Sequence, residues 1–579
     1  MKIDQLAQPN RYPGLPPADF LYGDDTPWPV KMHPGYEGVS PAIVPIPVAE
    51  KRDWERYVDK YYIESVVEFS VASAAAALAT AVEHRSDYPD LNDGDFTHLM
   101  CEGLYSKYLS PLDPRDASLF HAQIVDTATY NYLKCDFTAM RVVKALWPGE
   151  AAAASILLVR RRKDDTAFAY QVVAIVLQVW NPARGVFDQS EVLRPQDGEA
   201  WRVARYFVLQ GAIHRINLID HPGVHFPADT INALTKSVLP KTNLIVRLLQ
   251  PHMWLSLPVD NAVLEGQKSI INMNKWFPWC PFVAKGSEAR KLLPFFWAGS
   301  QFYAVHNQQG SPNGDAYFDI PNDSYKAFHF TPAPPEIASH YGEFLRGYFV
   351  PIRKFTRAVV DHMSDTEWRE AGFWADAIAQ YIPGHPDSAR LIGADGKNFD
   401  KDLLADLLAH FIWNAAVMHS SDHESLHEMY ESLHDANGTE YKAAMPVPFI
   451  LRVTPPLTRD YVRQAVTVAG SKLSWMERME RWAEHLANNT PLSWPSDNMS
   501  SHLADQMFYK PHNSLCLADV GVAASGDGNR SYIGFDTPGL AGLVKTFHAD
   551  LVTLDTQLRA TDSRQHVVAL NQMACSVQY

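Results

Sequence analysis

The sequence predicts a mainly α-helical fold: one large helical domain with a small β-hairpin or sheet region near residues 150–180. Apolar residues recur every three or four positions over long stretches, beginning near Arg52 and again beyond Trp201. Runs of β-branched residues are concentrated in the 150–180 region, where the charged turn Arg160–Asp165 separates them. Hydrophobic residues make up 46% and charged residues 20% of the 579 positions, as in soluble globular proteins.

The first fifty residues differ from the rest of the chain. Residues 1–50 are rich in proline, which fixes φ and removes a backbone donor, so we expect an extended arm lying on the body. No linker divides the helical stretch beyond Trp201. The expected organisation is therefore a Pro-rich N-terminal arm at 1–50 and one large domain at 51–579.

Charge and cysteine usage exclude several classes of protein. Asp and Glu outnumber Lys and Arg by 66 to 51, and the formal charge of −15 would repel a phosphate backbone. Nucleic acid is therefore not an expected partner. The five cysteines are scattered without paired spacing, which argues against a disulfide framework and a thiolate metal site. The N-terminus lacks a secretory signal, and apolar runs such as Val71–Leu78 are too short to span a bilayer, so a cytoplasmic protein without an integral membrane segment is expected.

Two β-branched runs predict the hairpin. Ala154–Val159 and Tyr170–Leu177 consist almost entirely of apolar, β-branched or small residues. Their length of six to eight residues and the charged turn between them are typical of two antiparallel strands.

The segment Ala212–Asp229 is the first candidate metal site. It contains three histidines and two carboxylates in a short stretch: His214, Asp220, His221, His225 and Asp229. Imidazole and carboxylate together suit iron or manganese, and a facial set with open positions suits oxygen chemistry. Two prolines, at 222 and 227, predict that the segment is not a regular uninterrupted helix.

The segment Lys401–Tyr430 is the second candidate. Its apolar residues fall on one helical face, which ends in His419 and His423, and His427 continues the row by another turn. Histidines four residues apart on a helix project from the same side, so both imidazoles can reach one metal. Isolated histidines on an apolar face are more often core residues, and the pairing is what favours a metal here.

Leu248-Leu249-Gln250-Pro251-His252 lies downstream of the first candidate metal segment. This run and its distance from His225 are similar to the LLxPH signature and its spacing in the catalytic domain of the lipoxygenases, and several other stretches resemble the same domain. Ile412–His419 followed by His423 resembles the segment with the family's third histidine and variable fourth ligand. Further similarities lie at Asp260-Asn261-Ala262 with Ile270-Ile271-Asn272, at Met445-Pro446 with Pro455-Pro456, and at the end, 573–579. The resemblance covers roughly residues 150–579.

The resemblance implies a metal centre. In lipoxygenases the C-terminal carboxylate itself binds the iron, so the implied ligands are His221, His225, His419, His423 and the carboxylate of Tyr579. The family spaces its first two histidines by five residues, whereas His221 and His225 are four apart, so Asp220 and His214 are alternatives for the first ligand. The implied metal is Fe, with Mn possible because the same ligands serve both.

The activity implied by the resemblance is that of a non-haem iron dioxygenase. Such an enzyme inserts O2 into a polyunsaturated fatty acid or similar unsaturated lipid and gives a hydroperoxide. The altered first cluster and the bulky ring of Tyr579 leave two alternatives: a diverged oxygenase or oxidase acting on another unsaturated metabolite, and a metal-free binding protein on the same scaffold. Candidate walls for an apolar channel are aromatic residues, although ordinary core packing is the commoner role for such side chains: Trp254, Trp276, Phe277, Trp279 and Phe282.

Overall fold

The computed structural model describes part of the chain. The described residues are 11–23, 27–28, 46–57, 92–144, 152–260, 292, 303–305, 328–330, 339–381, 400–423, 516–517, 535, 537–561 and 568–577. Within them the fold is mainly helical with a small antiparallel sheet, as the sequence predicts. The boundary expected between residues 50 and 51 stays a prediction.

The helices form the larger part of the described structure. In chain order they are α1 (Val48–Tyr57), α2 (Asp93–Cys101), α3 (Pro114–Leu119), α4 (Glu199–Arg215), α5 (His221–Val238), α6 (Leu244–Leu249), α7 (Ser256–Asp260), α8 (His340–Asp361), α9 (Asp365–Tyr381), α10 (Lys401–Trp413), α11 (His419–His423) and α12 (Pro538–Thr561). Short 3₁₀ turns include Leu104–Tyr108 and Gln250–Met253, and two π-helical turns lie at Ile216–Asp220 and Asn414–Met418.

The strands form one five-stranded antiparallel sheet and two short pairs. The sheet has the order β3 (Leu109–Pro111), β4 (Tyr130–Asp136), β5 (Ala154–Arg162), β6 (Tyr170–Asn181) and β7 (Val186–Gln189). The pairs are β1 (Pro27–Trp28) with β2 (Ile46–Pro47), and β8 (Tyr303–Val305) with β9 (Phe328–Phe330).

The predicted hairpin is the centre of the larger sheet. β5 and β6 pair as expected, but β5 continues through Arg162, so the connection covers residues 163–169 and lies later in the sequence than the predicted turn Arg160–Asp165. Leu157 and Ile175 lie in the main core, whereas Ile156 and Val176 belong to a second apolar cluster. Both faces of the strands are therefore covered, and this explains why their sequences are apolar without alternation.

The core of the helical body is built around α8. Its Phe355 stacks on Phe547 of α12 with 4.4 Å between ring centroids, and its Leu345 carbonyl accepts a hydrogen bond from the buried indole of Trp413 at 2.8 Å. A second indole, that of Trp374 in α9, donates to Thr235 Oγ1 of α5 at 3.1 Å. These contacts join α5, α8, α9, α10 and α12 into one apolar core.

Helix α10 begins where its sequence predicts. The carboxylate of Asp400 accepts a hydrogen bond from the backbone N–H of Leu403 at 2.9 Å, which satisfies one of the unpaired donors of the first turn. The helical face runs through Trp413 and the π turn to His423, and residues 424–430 of the predicted helix lie outside the described residues.

The described N-terminal residues contact the end of α5. The backbone N–H of Tyr12 donates to the carbonyl of Val238 at 3.1 Å, and the N–H of Tyr22 donates to the carbonyl of Lys236 at 2.9 Å. Among the described residues, no helix combines the length and the apolar character that crossing a membrane requires.

Candidate metal centre

Both histidine-bearing helices change from α to π geometry for one turn directly before a histidine. The turn Ile216–Asp220 leads into His221 at the start of α5, and the turn Asn414–Met418 leads into His419 at the start of α11. In each case the histidine N–H reaches back five residues, to the carbonyls of Ile216 and Asn414. A π turn inserts one residue into a helix and so rotates everything after it, and such turns occur frequently at functional sites. The first π turn is the one irregularity of the segment Ala212–Asp229, and it lies before the two prolines from which an interruption is predicted: α5 runs through both Pro222 and Pro227 without a break.

Three imidazoles converge at these two helix starts. The Nε2 atom of His225 lies 2.9 Å from Nε2 of His221 and 3.1 Å from Nε2 of His419. One ligand atom from each ring lies within 4.8 Å of the others, which makes these three residues a group able to hold a metal ion. The two helices thus bring together residues 194 positions apart in the sequence.

Hydrogen bonding alone does not account for this convergence. A ring nitrogen has either one N–H or one lone pair in the ring plane, so it can make one in-plane hydrogen bond. Nε2 of His225 has two close nitrogen neighbours. Two imidazole nitrogens bound at right angles to one cation, each at about 2.1 Å, lie about 3.0 Å apart. The observed separations fit that arrangement.

The three rings lie in a protected environment. His419 is completely buried, His225 is 6% exposed, and His221 is half-buried. Burial disfavours protonated imidazole, and a neutral imidazole is the form that binds metal. The half-buried His221 marks the more open side of the group.

The structure separates His221 from its two alternatives. Asp220 turns away to another set of contacts: its Oδ2 accepts a hydrogen bond from the Tyr108 hydroxyl at 2.7 Å and lies 3.4 Å from Lys107 Nζ. The Nδ1–H of His214 donates to the carbonyl of Gln210 at 2.8 Å, within helix α4, and burial lowers the pKa of His214 to about 4. Of the three candidates, His221 is the one placed beside His225 and His419.

Most of the remaining predicted site residues have side chains outside the described part of the chain. His423 ends α11, one helical turn after His419, but its side chain lies outside the described residues. Tyr579 lies outside them too, as do Trp276, Phe277, Trp279 and Phe282, and all of these stay predictions. Trp254 is half-buried, and its carbonyl accepts a hydrogen bond from Ser576 Oγ at 2.6 Å.

A buried cluster of charged side chains lies beside the three histidines, and it was not predicted from the sequence. Lys107 Nζ lies 2.5 Å from Oδ1 of Asp422 and 3.4 Å from Oδ2 of Asp220. Burial raises the pKa of Asp422 to about 6, although Lys107 opposes the shift, and burial raises the pKa of Tyr108 well above its usual value. The available signal was a repeated Asp-His pair, Asp220-His221 and Asp422-His423; nothing in the sequence indicates that Lys107 joins them.

The segment 573–577 passes beside α11 and the turn after α6. The N–H of Ala574 donates to Ser420 Oγ at 3.2 Å, and the Nδ1–H of His252 donates to the carbonyl of Cys575 at 2.6 Å. Residues 573–577 are all buried. His252, the histidine of the LLxPH-like motif, therefore fixes the segment that leads to Tyr579.

We expect this buried histidine to make the protein sensitive to acid. Burial lowers the pKa of His252 from 6.5 to about 4, so the unfolded chain takes up a proton before the folded chain does. The stability contributed by the neutral ring is complete above pH 6.5 and is lost as the pH falls towards 4, by on the order of 3 kcal/mol. Urea unfolding at a series of pH values measures this slope. His252→Gln, which keeps a donor but does not titrate, should have a shallower slope between pH 6.5 and 4; an unchanged slope would refute the assignment.

Comparison with known proteins gives matches at the level of structure. No family model and no curated protein matches the sequence. The chain is similar to a fungal lipoxygenase from Fusarium graminearum (TM-score 0.55, 15% identity, covering 85% of this chain and 80% of that one). It is also similar to the manganese lipoxygenase of Gaeumannomyces graminis (TM-score 0.54, 14% identity, 95% of each chain). A third match is a LOX deletion variant in an anaerobic complex with arachidonate (TM-score 0.57, 13% identity, 94% of this chain and 78% of that one). These matches confirm the expected fold.

Proposed function

We propose that this chain, which has the lipoxygenase fold, is a metal-dependent dioxygenase. It uses a non-haem Fe or Mn to insert O2 into a polyunsaturated fatty acid or a similar unsaturated lipid and gives a hydroperoxide. The proposed ligands are His221, His225 and His419, with His423 and the carboxylate of Tyr579 as further ligands. The fold supports the class of enzyme, and the ligand assignment is our inference from the residues.

The observation that carries the proposal is the convergence of three Nε2 atoms. Their separations of 2.9 and 3.1 Å agree with neighbouring positions around one cation, and His225 takes part in both contacts. An all-nitrogen face suits Fe, Mn and other divalent first-row metals, and it leaves positions for further ligands and a reactant. In a chain with the lipoxygenase fold, Fe and Mn are the metals we propose.

The proposed reaction requires no co-substrate other than O2. A methylene between two double bonds loses a hydrogen, O2 forms a bond to a carbon of the resulting pentadienyl unit, and the hydrogen is returned to the outer oxygen. Carbon is oxidised and O2 is reduced to the hydroperoxide, so atoms and electrons balance between lipid and O2. A redox-active metal, when bound, supplies the one-electron oxidation that removes the hydrogen.

The described residues contribute orientation and protection from water. His225 and His419 are buried. The helical segments that carry them pack into the main core through Val224, Ala416 and Val417. Rings held in this way keep their direction without a metal, which reduces the ordering cost of binding. Exclusion of water protects a carbon radical from side reactions.

An unsaturated lipid is the proposed substrate class. One structure of similar fold was determined in complex with arachidonate, a polyunsaturated fatty acid, and this observation supports the same class here. The altered spacing of His221 and His225 supports the second candidate, an oxygenase or oxidase acting on another unsaturated metabolite.

Metal exchange tests the proposal. Removing the metal with a chelator should abolish O2 uptake in the presence of linoleate or arachidonate. Adding Fe(II) or Mn(II) should restore it, whereas Zn(II) should fill the site without restoring uptake, because Zn(II) has no redox chemistry. An oxygen electrode and elemental analysis on the same samples give both quantities.

The outcomes separate the alternatives. A metal-loaded protein that consumes no O2 with any polyunsaturated acid would contradict the fatty-acid proposal and favour the second candidate. A protein that takes up no Fe, Mn or Zn would favour the metal-free binding protein. Equal O2 uptake with and without chelator would contradict metal dependence altogether.

A further inference from the structure

Lys107 lies at the junction of the two histidine-bearing helices, although it belongs to neither. It is part of the 3₁₀ turn Leu104–Tyr108, which precedes strand β3. Its side chain is only 2% exposed. A buried lysine requires compensation, because removing an ammonium group from water is costly unless carboxylates pair with it.

The two carboxylates that pair with Lys107 come from the two different helices. Asp422 lies in α11, three residues after His419, and its Oδ1 is 2.5 Å from Lys107 Nζ. Asp220 closes the first π turn directly before His221, and its Oδ2 is 3.4 Å from the same nitrogen. One ammonium group therefore links the backbone segments that carry the imidazoles.

The cluster around Lys107 is balanced in charge. Arg215 is the second cation, with Nε 3.8 Å from Asp220 Oδ1 and its guanidinium 4.4 Å from the centre of the Tyr108 ring. Tyr108 adds a hydrogen bond to Asp220 at 2.7 Å. Two cations thus face two carboxylates, and among the described residues Oδ2 of Asp422 has no hydrogen-bond partner. Asp422 depends chiefly on Lys107.

We propose that Lys107 is a positioning residue for the metal centre: by joining Asp220 to Asp422, it holds α5 and α11 at the spacing at which His225 meets His419. The inference rests on the proposed metal site and adds a residue that does not touch the metal. Without the ammonium group Asp220 and Asp422 lose their common partner, so the link that Lys107 makes between the two helices is lost. The two Nε2 atoms then no longer converge.

Two single substitutions with opposite charge changes distinguish positioning from a simple field effect. Lys107→Met makes the surroundings of the metal more negative, whereas Asp422→Asn makes them less negative. If the cluster acted only through its field, the first change would tighten binding of a cation and the second would weaken it. If it positions the helices, both changes weaken binding.

The probe is Co(II) added to metal-free protein, because its visible absorption spectrum reports the number and geometry of ligands independently of any activity. We expect both variants to bind Co(II) about 10–100-fold more weakly than the unaltered protein, as is usual when a group supporting a ligand is lost. The spectrum should also change, since the imidazoles are displaced.

Lys134→Met is the matched control. Lys134 is likewise buried and pairs with Asp113, Asp116 and Asp136, but this cluster joins α3 to the sheet and contains none of the three histidines. The Lys134→Met variant should unfold at a lower urea concentration, while its affinity for Co(II) and its Co(II) spectrum should be unchanged. Should Lys107→Met not fold, the Co(II) spectrum of Asp422→Asn carries the test, because an effect of charge alone would leave the ligand geometry, and with it the spectrum, unchanged.

The outcomes are distinct. Unchanged or tighter Co(II) binding in Lys107→Met, or an equal loss in Lys134→Met, would overturn the role of Lys107 and leave the metal site standing. An unchanged affinity in Asp422→Asn would overturn it as well. Absence of Co(II) binding by the unaltered protein would overturn the proposed metal site, and the positioning role with it.

Discussion

Replacing His225 with alanine is expected to remove both the metal and the activity. Nε2 of His225 is the shared member of the two close contacts, so its loss leaves His221 and His419 without their common neighbour. Loss of a group that merely supports a ligand costs about 10–100-fold in metal affinity, and loss of a ligand should exceed that. We expect the bound Fe or Mn of His225→Ala to fall below detection by elemental analysis, with no measurable O2 uptake.

His214→Gln is the control for this substitution. His214 is also buried, lies one residue before the end of α4, and donates to the carbonyl of Gln210, a bond that the glutamine amide can replace. The variant should retain metal and O2 uptake. Metal loss in His214→Gln together with metal retention in His225→Ala would reverse the assignment and return His214 to the ligand set.

The largest expected effect on stability is that of Trp413→Ala. Trp413 is completely buried at the end of α10, and its indole N–H donates to the Leu345 carbonyl of α8. Removing a buried tryptophan leaves a cavity and typically costs about 3–5 kcal/mol. We expect the free energy of unfolding measured in urea to fall by that amount.

Two further variants separate the contributions to this effect. Trp413→Phe keeps most of the volume but removes the hydrogen bond, and it should cost about 1–2 kcal/mol. Val552→Ala, at an exposed position of α12, should change stability by less than about 0.5 kcal/mol. A Trp413→Ala variant no less stable than Val552→Ala would contradict the described packing of α10 on α8.

The sequence predicted those parts of the fold that rest on local patterns. The apolar face of α10 and the strands β5 and β6 follow from residue periodicity and turn chemistry. The flanking strands could not be predicted in this way, because β3 and β7 span only three and four residues and β4 mixes polar with apolar residues. Pairing with the central hairpin, a non-local contact, makes them strands.

The candidate site was predictable in composition and not in geometry. The sequence predicted His221, His225 and His419 as candidate ligands. The choice among His221, Asp220 and His214, however, depends on the rotation that the first π turn introduces. A π turn leaves little trace in apolar periodicity, because it alters the register by one residue. Lys107 was unpredictable for another reason: it is 315 positions from Asp422, and a lone lysine has no motif.

The metal content of the unaltered protein, purified without added metal, tests the central claim most directly. Elemental analysis should find about one Fe or Mn per chain, and that metal should be absent from His225→Ala and present in His214→Gln prepared in parallel. A preparation without stoichiometric Fe or Mn that also fails to bind either metal when it is supplied would contradict the account.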